Sequence, residues 1–313
     1  MASILLAILS VWCLLRSIRG RATLPEMAVS VFVISFCVFT YRFDQVTVYL
    51  GPVFVLVLVI LIGMMIRSLL RGDAGKIFGY ASLAGTGLLF YLATASNYVP
   101  GLWNGPLVSL DTPLWNGSFY VVQGGNNLLV NGHRISSGAT AQRYALDIVK
   151  LSPARSSTNK LLPGDDLSQY VIYGESVYAP CRGSVLLVEE GFDDLPAGTT
   201  DPANPAGNYV VIGCDEGVSV VLAHLQREIY PGPGERVVAG QYLGKVGNTG
   251  NTTEPHLHIH AVEGHVRNES EALFTGRGVP FTLGHSVLFK NMMLVVSECP
   301  PVPGIDLLSS SPP

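Results

Sequence analysis

Long apolar runs occupy the first third of the chain, and short apolar runs separated by turn residues occupy the rest. The first third contains four apolar segments, residues 2–18, 25–41, 47–66 and 77–96. The last two have about the 20 residues that an α-helix needs to cross a bilayer. The first two are shorter, and buried helices of a water-soluble domain are the open alternative for them. The pattern predicts an α-helical transmembrane bundle of about four spans over residues 1–96.

The basic residues between these segments predict an orientation. Three of them lie at or after the end of the first segment, Arg16, Arg19 and Arg21, and three lie in the loop after the third, Arg67, Arg71 and Lys76. Loops on the cytoplasmic side of membrane proteins are enriched in Lys and Arg. We therefore expect both loops in the cytoplasm and everything after residue 96 on the other side of the membrane.

The remainder of the chain has the pattern of β-structure. Residues 97–117 are rich in Pro and Gly and are predicted to form a linker. Short runs such as NYVVIGC and VSVVLAHL follow, separated by Gly, Pro, Asn and Asp. No amphipathic helical pattern interrupts them, so residues 118–290 are predicted to form an all-β domain. Residues 291–313 are predicted to be a tail.

Composition supports this division and excludes one class of partner. The chain is 48% hydrophobic and 13% charged, yet all seven histidines lie at or after His133. The chemistry is therefore expected in the second part. A net charge of −4 argues against a nucleic-acid partner. A disulfide among Cys181, Cys214 and Cys299 is possible, but the sequence does not select the pair.

One segment of the β-domain alternates histidines with apolar residues, from His256 to His260. In a strand, His256, His258 and His260 would share one face, with Leu257 and Ile259 on the other. The glycines and asparagines just upstream permit a tight reversal of the chain before this strand. Histidines delivered by such a turn suggest a site, although a surface strand that happens to carry histidines is the alternative for this segment alone.

Two more segments carry groups that bind metals. His224 lies at the end of the apolar run VSVVLAHL, and Asp147 lies inside YALDIV. A buried carboxylate is costly unless it is paired or bound to a metal. Histidine and aspartate ligands that leave a position open on zinc form a hydrolytic site, because the ion activates water and polarises a carbonyl.

The order of these segments resembles the lysostaphin-type zinc metalloendopeptidases, which cut peptide bonds in bacterial cell-wall peptidoglycan. The resemblance covers roughly residues 120–265 and rests on the motifs ALD at 145–147, GESVYAP at 174–180 with GSV at 183–185, GNYV at 207–210, AHL at 223–225, AGQ at 239–241, GNTG at 247–250 and PHLH at 255–258. It implies Zn²⁺ as cofactor, with Asp147 and His258 as ligands. It also implies that His224 and His256 are catalytic, acting on the water and on the tetrahedral intermediate.

One position departs from the family's pattern. The family's first motif is His-x-x-x-Asp, but Arg143 stands four residues before Asp147. A guanidinium has no lone pair to offer a metal. We predict that His133, on a glycine-bearing segment leading to Asp147, is the third ligand. The competing hypothesis is that His133 is a loop residue and the domain a degenerate regulator.

The resemblance and the apolar segments together give a functional expectation. We expect a membrane-anchored zinc metalloendopeptidase of the bacterial inner (cytoplasmic) membrane, multi-pass, with its C-terminal domain periplasmic or extracellular. Its predicted partners are peptidoglycan peptides and the lipid bilayer. The alternatives are an inactive regulator or peptidoglycan-binding module on the same fold, and a biotinyl- or lipoyl-type carrier. Residues 247–254 contain no lysine to carry such a group, which argues against a carrier.

Overall fold

A computed structural model of the chain describes residues 66–67, 70–72, 103, 105, 107–128, 130–135, 138–160 and 163–297. The chain divides into two compact units, Met1–Ser96 and Asn97–Pro313. Almost all of the described residues lie in the second unit, and the fold below is that of this unit alone.

The prediction of a four-span helical bundle is wrong. No helix among the described residues is long and apolar enough to cross a membrane. The four apolar segments lie outside the described residues, except for residue 66 at the end of the third. The length and hydropathy of an apolar run were the only basis for the prediction. Such a run is also compatible with buried structure, so the pattern alone was insufficient.

The prediction of a β-domain is confirmed, with thirteen strands among the described residues. They are β1 Val108–Leu110, β2 Gly117–Gln123, β3 Leu146–Leu151, β4 Ser176–Tyr178, β5 Gly183–Glu189, β6 Asn208–Cys214, β7 Val218–Leu225, β8 Arg236–Val237, β9 Tyr242–Lys245, β10 Leu257–Glu263, β11 Gly278–Val279, β12 Phe281–Leu283 and β13 Met293–Val296. Two of these strands, β1 and β13, lie outside the residues predicted to form the β-domain. β1 lies within the predicted linker and β13 within the predicted tail.

One large sheet contains most of the strands. Its order is β13-β2-β3-β10-β7-β6-β5-β8, and β11 pairs with β10. Two smaller sheets consist of β1 with β12 and of β4 with β9. All pairings in the large sheet are antiparallel. The site described below lies on the central strands β3, β10 and β7.

Both faces of the large sheet are covered by other residues. Every residue of β6 and β7 is buried, as the continuous apolar runs in their sequences suggest. Leu257 and Ile259 of β10 pack into the main core on one face. Val221 and Ala223 of β7 belong to a smaller apolar cluster on the other. A π-helical turn, Glu271–Thr275, contributes to that second cluster.

A tight turn joins the buried strands β6 and β7, and a disulfide lies beside it. Residues 215–217 link β6 to β7, and Gly217 has a φ of 79°, which glycine adopts without steric cost. Its N–H donates to the carbonyl of Cys214 at 3.0 Å and closes the turn. Cys214 also forms a disulfide with Cys181, just before β5. The pair that the sequence left open is therefore Cys181–Cys214.

Candidate metal centre and active site

The centre of the large sheet places Asp147 beside His258. Asp147 on β3 is the register partner of His258 on β10, and Ala223 on β7 is the partner on the other side. Directly opposed side chains share one face, with Cβ atoms about 4.5–5.5 Å apart. Leu257 and Ile259 face the main core instead. Strand alternation therefore directs the carboxylate and the imidazole to the same side of the sheet.

His133 reaches this pair from the 3-10 helix Gly132–Ile135. Its Nε2 lies 3.4 Å from Oδ2 of Asp147, while Nδ1 of His258 lies 2.9 Å from Oδ1 of Asp147. One ligand atom from each of the three residues lies within 4.8 Å of the others, so the group could hold a metal ion. Two imidazoles and one carboxylate form a set of three protein ligands that leaves a fourth position of tetrahedral zinc open.

The hydrogen bonds of His258 show that a cation fits this group. Nε2 of His260 lies 2.9 Å from the carbonyl oxygen of Ala272, which can only accept. In the neutral His260 ring, Nδ1 is then an acceptor, and it lies 3.0 Å from Nε2 of His258. His258 thus faces an acceptor at each ring nitrogen, since Asp147 lies at the other. Its Nδ1 needs a proton or a metal ion towards the carboxylate, and a set of two imidazoles and one carboxylate suits zinc.

β7 supplies His224 through a break in regular pairing. Asn208 and Tyr209 of β6 pair with the residues on either side of His224, which makes it the additional residue of a β-bulge. Its φ of 64° is left-handed, a conformation that costs a non-glycine residue about 1–3 kcal/mol. Neighbouring side chains of a regular strand point to opposite faces. The bulge turns His224 to the site, where its ring centroid lies 5.7 Å from that of His258.

The turn at residues 247–252 fixes the ring of His224. The carbonyl oxygen of Thr249 lies 2.8 Å from Nδ1 of His224, so this nitrogen carries the proton. The Thr249 hydroxyl accepts from the N–H of Asn208 at 2.9 Å. Gly207 has a φ of 57°, and a Cβ there would collide with the backbone of Thr249. Close packing of the turn on β6 therefore holds the carbonyl in place and leaves the lone pair of His224 on Nε2.

His256 lies just before β10, next to His224. Its Nδ1 lies 2.9 Å from the carbonyl oxygen of Glu254 and 3.1 Å from the Thr252 hydroxyl. Because the carbonyl only accepts, Nδ1 is the protonated nitrogen. Nε2 lies 3.6 Å from Oδ1 of Asp147, and the ring centroid lies 4.7 Å from that of His224. His224 and His256 therefore stand together beside the Asp147 group.

Burial keeps three histidines of the site neutral at neutral pH. Desolvation lowers the pKa of His133 from 6.5 to about 4, although the Asp147 carboxylate opposes this shift. Desolvation also lowers the pKa of His260 to about 3 and that of His224 well below 6.5. A neutral imidazole keeps the lone pair that a metal ion or a proton requires.

Asp147 remains ionised although it is buried. Burial alone would raise the pKa of its carboxyl. The favourable interactions of the carboxylate with His133 and His256 and its hydrogen bond with His258 outweigh burial and hold this pKa well below its usual range. The ionised carboxylate is the form that binds a metal ion.

Arg143 takes no part in this group. Its side chain is exposed at the end of the 3-10 helix Thr140–Gln142 and lines a separate surface cavity with Tyr144 and Arg277. The position where the family carries its first histidine therefore faces away, and His133 lies beside Asp147 instead.

The site opens into a cleft of about 340 Å³. Residues 205–206, in the long loop just before β6, form part of its wall. Leu273 and Phe274 of the π-helical turn also line it, and sequence reasoning did not connect that turn with the site. Gln123 also lines the cleft, at a bulge where β2 pairs with β3. No local pattern in the sequence indicated these residues, because their proximity depends on distant chain segments.

A mostly-β domain with two imidazoles, a carboxylate and two further histidines in a cleft has the arrangement expected of a metal-dependent hydrolase. Comparison with known families identifies the domain: residues 166–270 match the model of peptidase family M23, so the chain carries an M23 domain there. The matched range includes His224, His256 and His258. His133 and Asp147 precede it.

Several solved structures are similar to parts of this chain. A zinc-containing peptidase from Vibrio cholerae is 21% identical over 54% of this chain and 38% of that chain, with a TM-score of 0.32. The catalytic domain of the antimicrobial peptidase lysostaphin from Staphylococcus simulans is 23% identical over 33% and 68%, with a TM-score of 0.25. A variant of the catalytic domain of the prophage-encoded M23 protein EnpA from Enterococcus faecalis is 19% identical over 54% and 93%, with a TM-score of 0.32. This chain thus spans little more than a third of the length of the Vibrio peptidase.

Proposed function

We propose that the domain is a zinc endopeptidase that hydrolyses peptide bonds in the stem peptides or cross-links of peptidoglycan. The observation that carries this proposal is the convergence of Nε2 of His133, the carboxylate of Asp147 and Nδ1 of His258 at one point of the cleft. Peptidoglycan as substrate rests on the lysostaphin type of the family. We assign the three residues as the zinc ligands.

We assign His256 and His224 to proton transfer. A zinc ion bound by the three ligands would supply a Lewis acid that polarises the scissile carbonyl and acidifies water. Each of the two histidines has its Nδ1–H committed to a backbone carbonyl and its Nε2 lone pair available. One of them accepts a proton as water adds to the carbonyl carbon. The resulting N–H then donates to the developing oxyanion and returns the proton to the amine as the C–N bond breaks.

We further propose that the domain works outside the cytoplasm. The disulfide between Cys181 and Cys214 fits an oxidising compartment, because cytosolic thiols are kept reduced. Alkylation of the protein in intact cells, followed by mass spectrometry, tests this. Cys181 and Cys214 should react only after reduction, whereas alkylation of both without reductant would refute the assignment.

The metal-free regulator was supported by one observation, the arginine at position 143. The group formed by His133, Asp147 and His258 supplies three potential ligands without that position. The geometry therefore favours the enzyme.

Metal analysis of the purified 313-residue chain, combined with digestion of purified cell-wall sacculi, tests the proposed function. We expect stoichiometric zinc and release of soluble fragments with new amino termini. His256→Ala serves as the matched variant and should retain zinc without releasing fragments. A chain that binds no zinc, or that binds zinc and leaves the sacculi intact, would refute the proposal.

A further inference from the structure

We propose that Asn131 and His260 are positioning residues that fix the ring tautomers of the two histidine ligands. Asn131 would make Nε2 of His133 the metal-binding nitrogen, and His260 would make Nδ1 of His258 the metal-binding nitrogen. This inference rests on the proposed function, because it assigns His133 and His258 as ligands. The two ligands face Asp147 through different ring nitrogens, so each ring tautomer depends on its own outer partner.

Asn131 has one possible orientation in the structure. It is fully buried, and its amide nitrogen lies 3.0, 3.3 and 3.4 Å from the carbonyl oxygens of Gly125, Ala145 and Arg143. Carbonyl oxygens can only accept, so the amide nitrogen and oxygen cannot be exchanged. The amide oxygen is therefore the atom that faces His133.

That oxygen determines the tautomer of His133. It accepts from the backbone N–H of His133 at 3.1 Å and lies 3.1 Å from the ring Nδ1. Nδ1 must carry a proton to donate to it, and the lone pair is then on Nε2. This is the nitrogen that lies 3.4 Å from the carboxylate of Asp147. One asparagine thus fixes both the backbone and the ring of His133.

His260 plays the same part for His258. It is 1% exposed, and both of its ring nitrogens have partners. The carbonyl oxygen of Ala272 accepts from Nε2 at 2.9 Å, which leaves Nδ1 of the neutral ring to accept from Nε2 of His258 at 3.0 Å. His258 is then protonated on Nε2, and Nδ1 faces Asp147 at 2.9 Å.

These contacts connect the ligands to segments far away in the chain. Asn131 connects His133 to the residues just before β3, the strand that carries Asp147. His260 connects β10 to Ala272 of the π-helical turn Glu271–Thr275, and the two residues after Ala272, Leu273 and Phe274, line the cleft. Loss of an outer partner of a metal-bound histidine typically costs about 10–100-fold in metal affinity.

Substitution at each position, with a conservative counterpart at His260, tests the proposal by zinc affinity in chelator competition. His260→Leu and Asn131→Leu should each weaken zinc binding about 10–100-fold. His260→Gln should recover part of the affinity, because its amide oxygen can accept from the ligand's N–H. His265→Gln is the matched control, since His265 also lies against a backbone carbonyl, that of Cys214, but away from the site. Leucine variants that fold and bind zinc within twofold of the parent would overturn the proposal.

Histidine ¹⁵N NMR of the full chain, with and without zinc, tests the tautomers directly. We expect Nδ1–H on His133 and Nε2–H on His260 in both forms, with zinc on Nδ1 of His258. A protonated Nε2 on His133, or zinc on Nε2 of His258, would overturn the proposal. If the chain binds no zinc, the proposed function fails, but the metal-free spectra still show whether His133 and His260 have the proposed tautomers. The two proposals can therefore fail separately. These spectra are recorded on the parent chain, so they decide the proposal even if a leucine variant misfolds.

Discussion

The two halves of the metal centre are built in different ways. Asp147 and His258 come from adjacent strands, where the register alone sets them side by side. His133 comes from a short 3-10 helix and is held by the side chain of Asn131 rather than by a sheet. The strand half, Asp147 and His258, depends on many backbone hydrogen bonds, whereas the lead-in half, His133, depends on a few contacts of one buried amide. Loss of Asn131 should therefore disturb both the backbone and the ring of His133, whereas loss of His260 should disturb only the ring of His258.

The same contrast distinguishes the two histidines that we propose for proton transfer. His256 continues directly into β10, so the regular strand nearly determines its position. His224 requires a β-bulge and a left-handed backbone to face the site. Backbone strain of about 1–3 kcal/mol at such a position persists only where surrounding contacts compensate for it. Here the N–H of His224 donates to Ala206 and its carbonyl accepts from Gly247.

The largest effect is expected from breaking the strand half. Asp147→Ala should lose zinc and activity together, because Asp147 contacts both His133 and His258 and is the proposed carboxylate ligand. Zinc content and sacculus digestion are the measurements. Asp193→Ala is the control, since that carboxylate is 82% exposed in a surface ion pair with Arg227. Retention of zinc by Asp147→Ala would exclude it as a ligand.

Next in size is the loss of proton transfer with the metal retained. His256→Ala should keep its zinc and lower kcat about 10²–10⁴-fold, the usual contribution of a general acid or base. His285→Asn provides a histidine control on an exposed turn, where its φ of 66° suits asparagine. Release of zinc by His256→Ala, with zinc retained in His258→Ala, would reverse the roles assigned along the strand.

A smaller effect is expected from the lead-in half. His133→Ala should weaken zinc binding by about 100-fold or more. Loss of an outer partner costs up to about 100-fold, and this variant removes a proposed ligand itself. Arg143→Ala should leave zinc affinity unchanged, since its side chain faces another cavity. Chelator competition measures both. Equal affinities for the two variants would favour the competing hypothesis that His133 is a loop residue.

The sequence predicted the strand half much better than the lead-in half. Period-2 alternation in HLHIHA indicated which side chains share a face, and the run YALDIV placed Asp147 in a strand. Neither the bulge at His224 nor the contact between Asn131 and His133 leaves a periodic signal, because both depend on chain segments brought together only in the fold. The apolar segments before residue 97 led to the wrong expectation because length and hydropathy alone do not specify a spanning helix.

The smallest expected effect is a pH dependence of stability in the metal-free chain. The pKa of His133 falls from 6.5 to about 4 on folding and that of His260 to about 3. The unfolded chain therefore binds more protons below about pH 6.5, and the free energy of unfolding should decrease as the pH falls from there towards about 4. Urea unfolding followed by near-UV circular dichroism measures this. A free energy of unfolding that increases as the pH is lowered from 6.5 to 5 would show that these histidines are not buried in the neutral form. His260→Gln lacks one of the two groups and should show a weaker pH dependence of the free energy of unfolding than the parent chain.

A crystal structure of the zinc-loaded chain, with anomalous scattering at the zinc edge, tests the central claim most directly. We predict one ion held by Nε2 of His133 and Nδ1 of His258 at about 2.0–2.1 Å and by an oxygen of Asp147 at about 2.0–2.2 Å. Nε2 of His224 and of His256 should face the open position without binding the metal. Zinc held without His133, or through Nε2 of His258, would contradict the account.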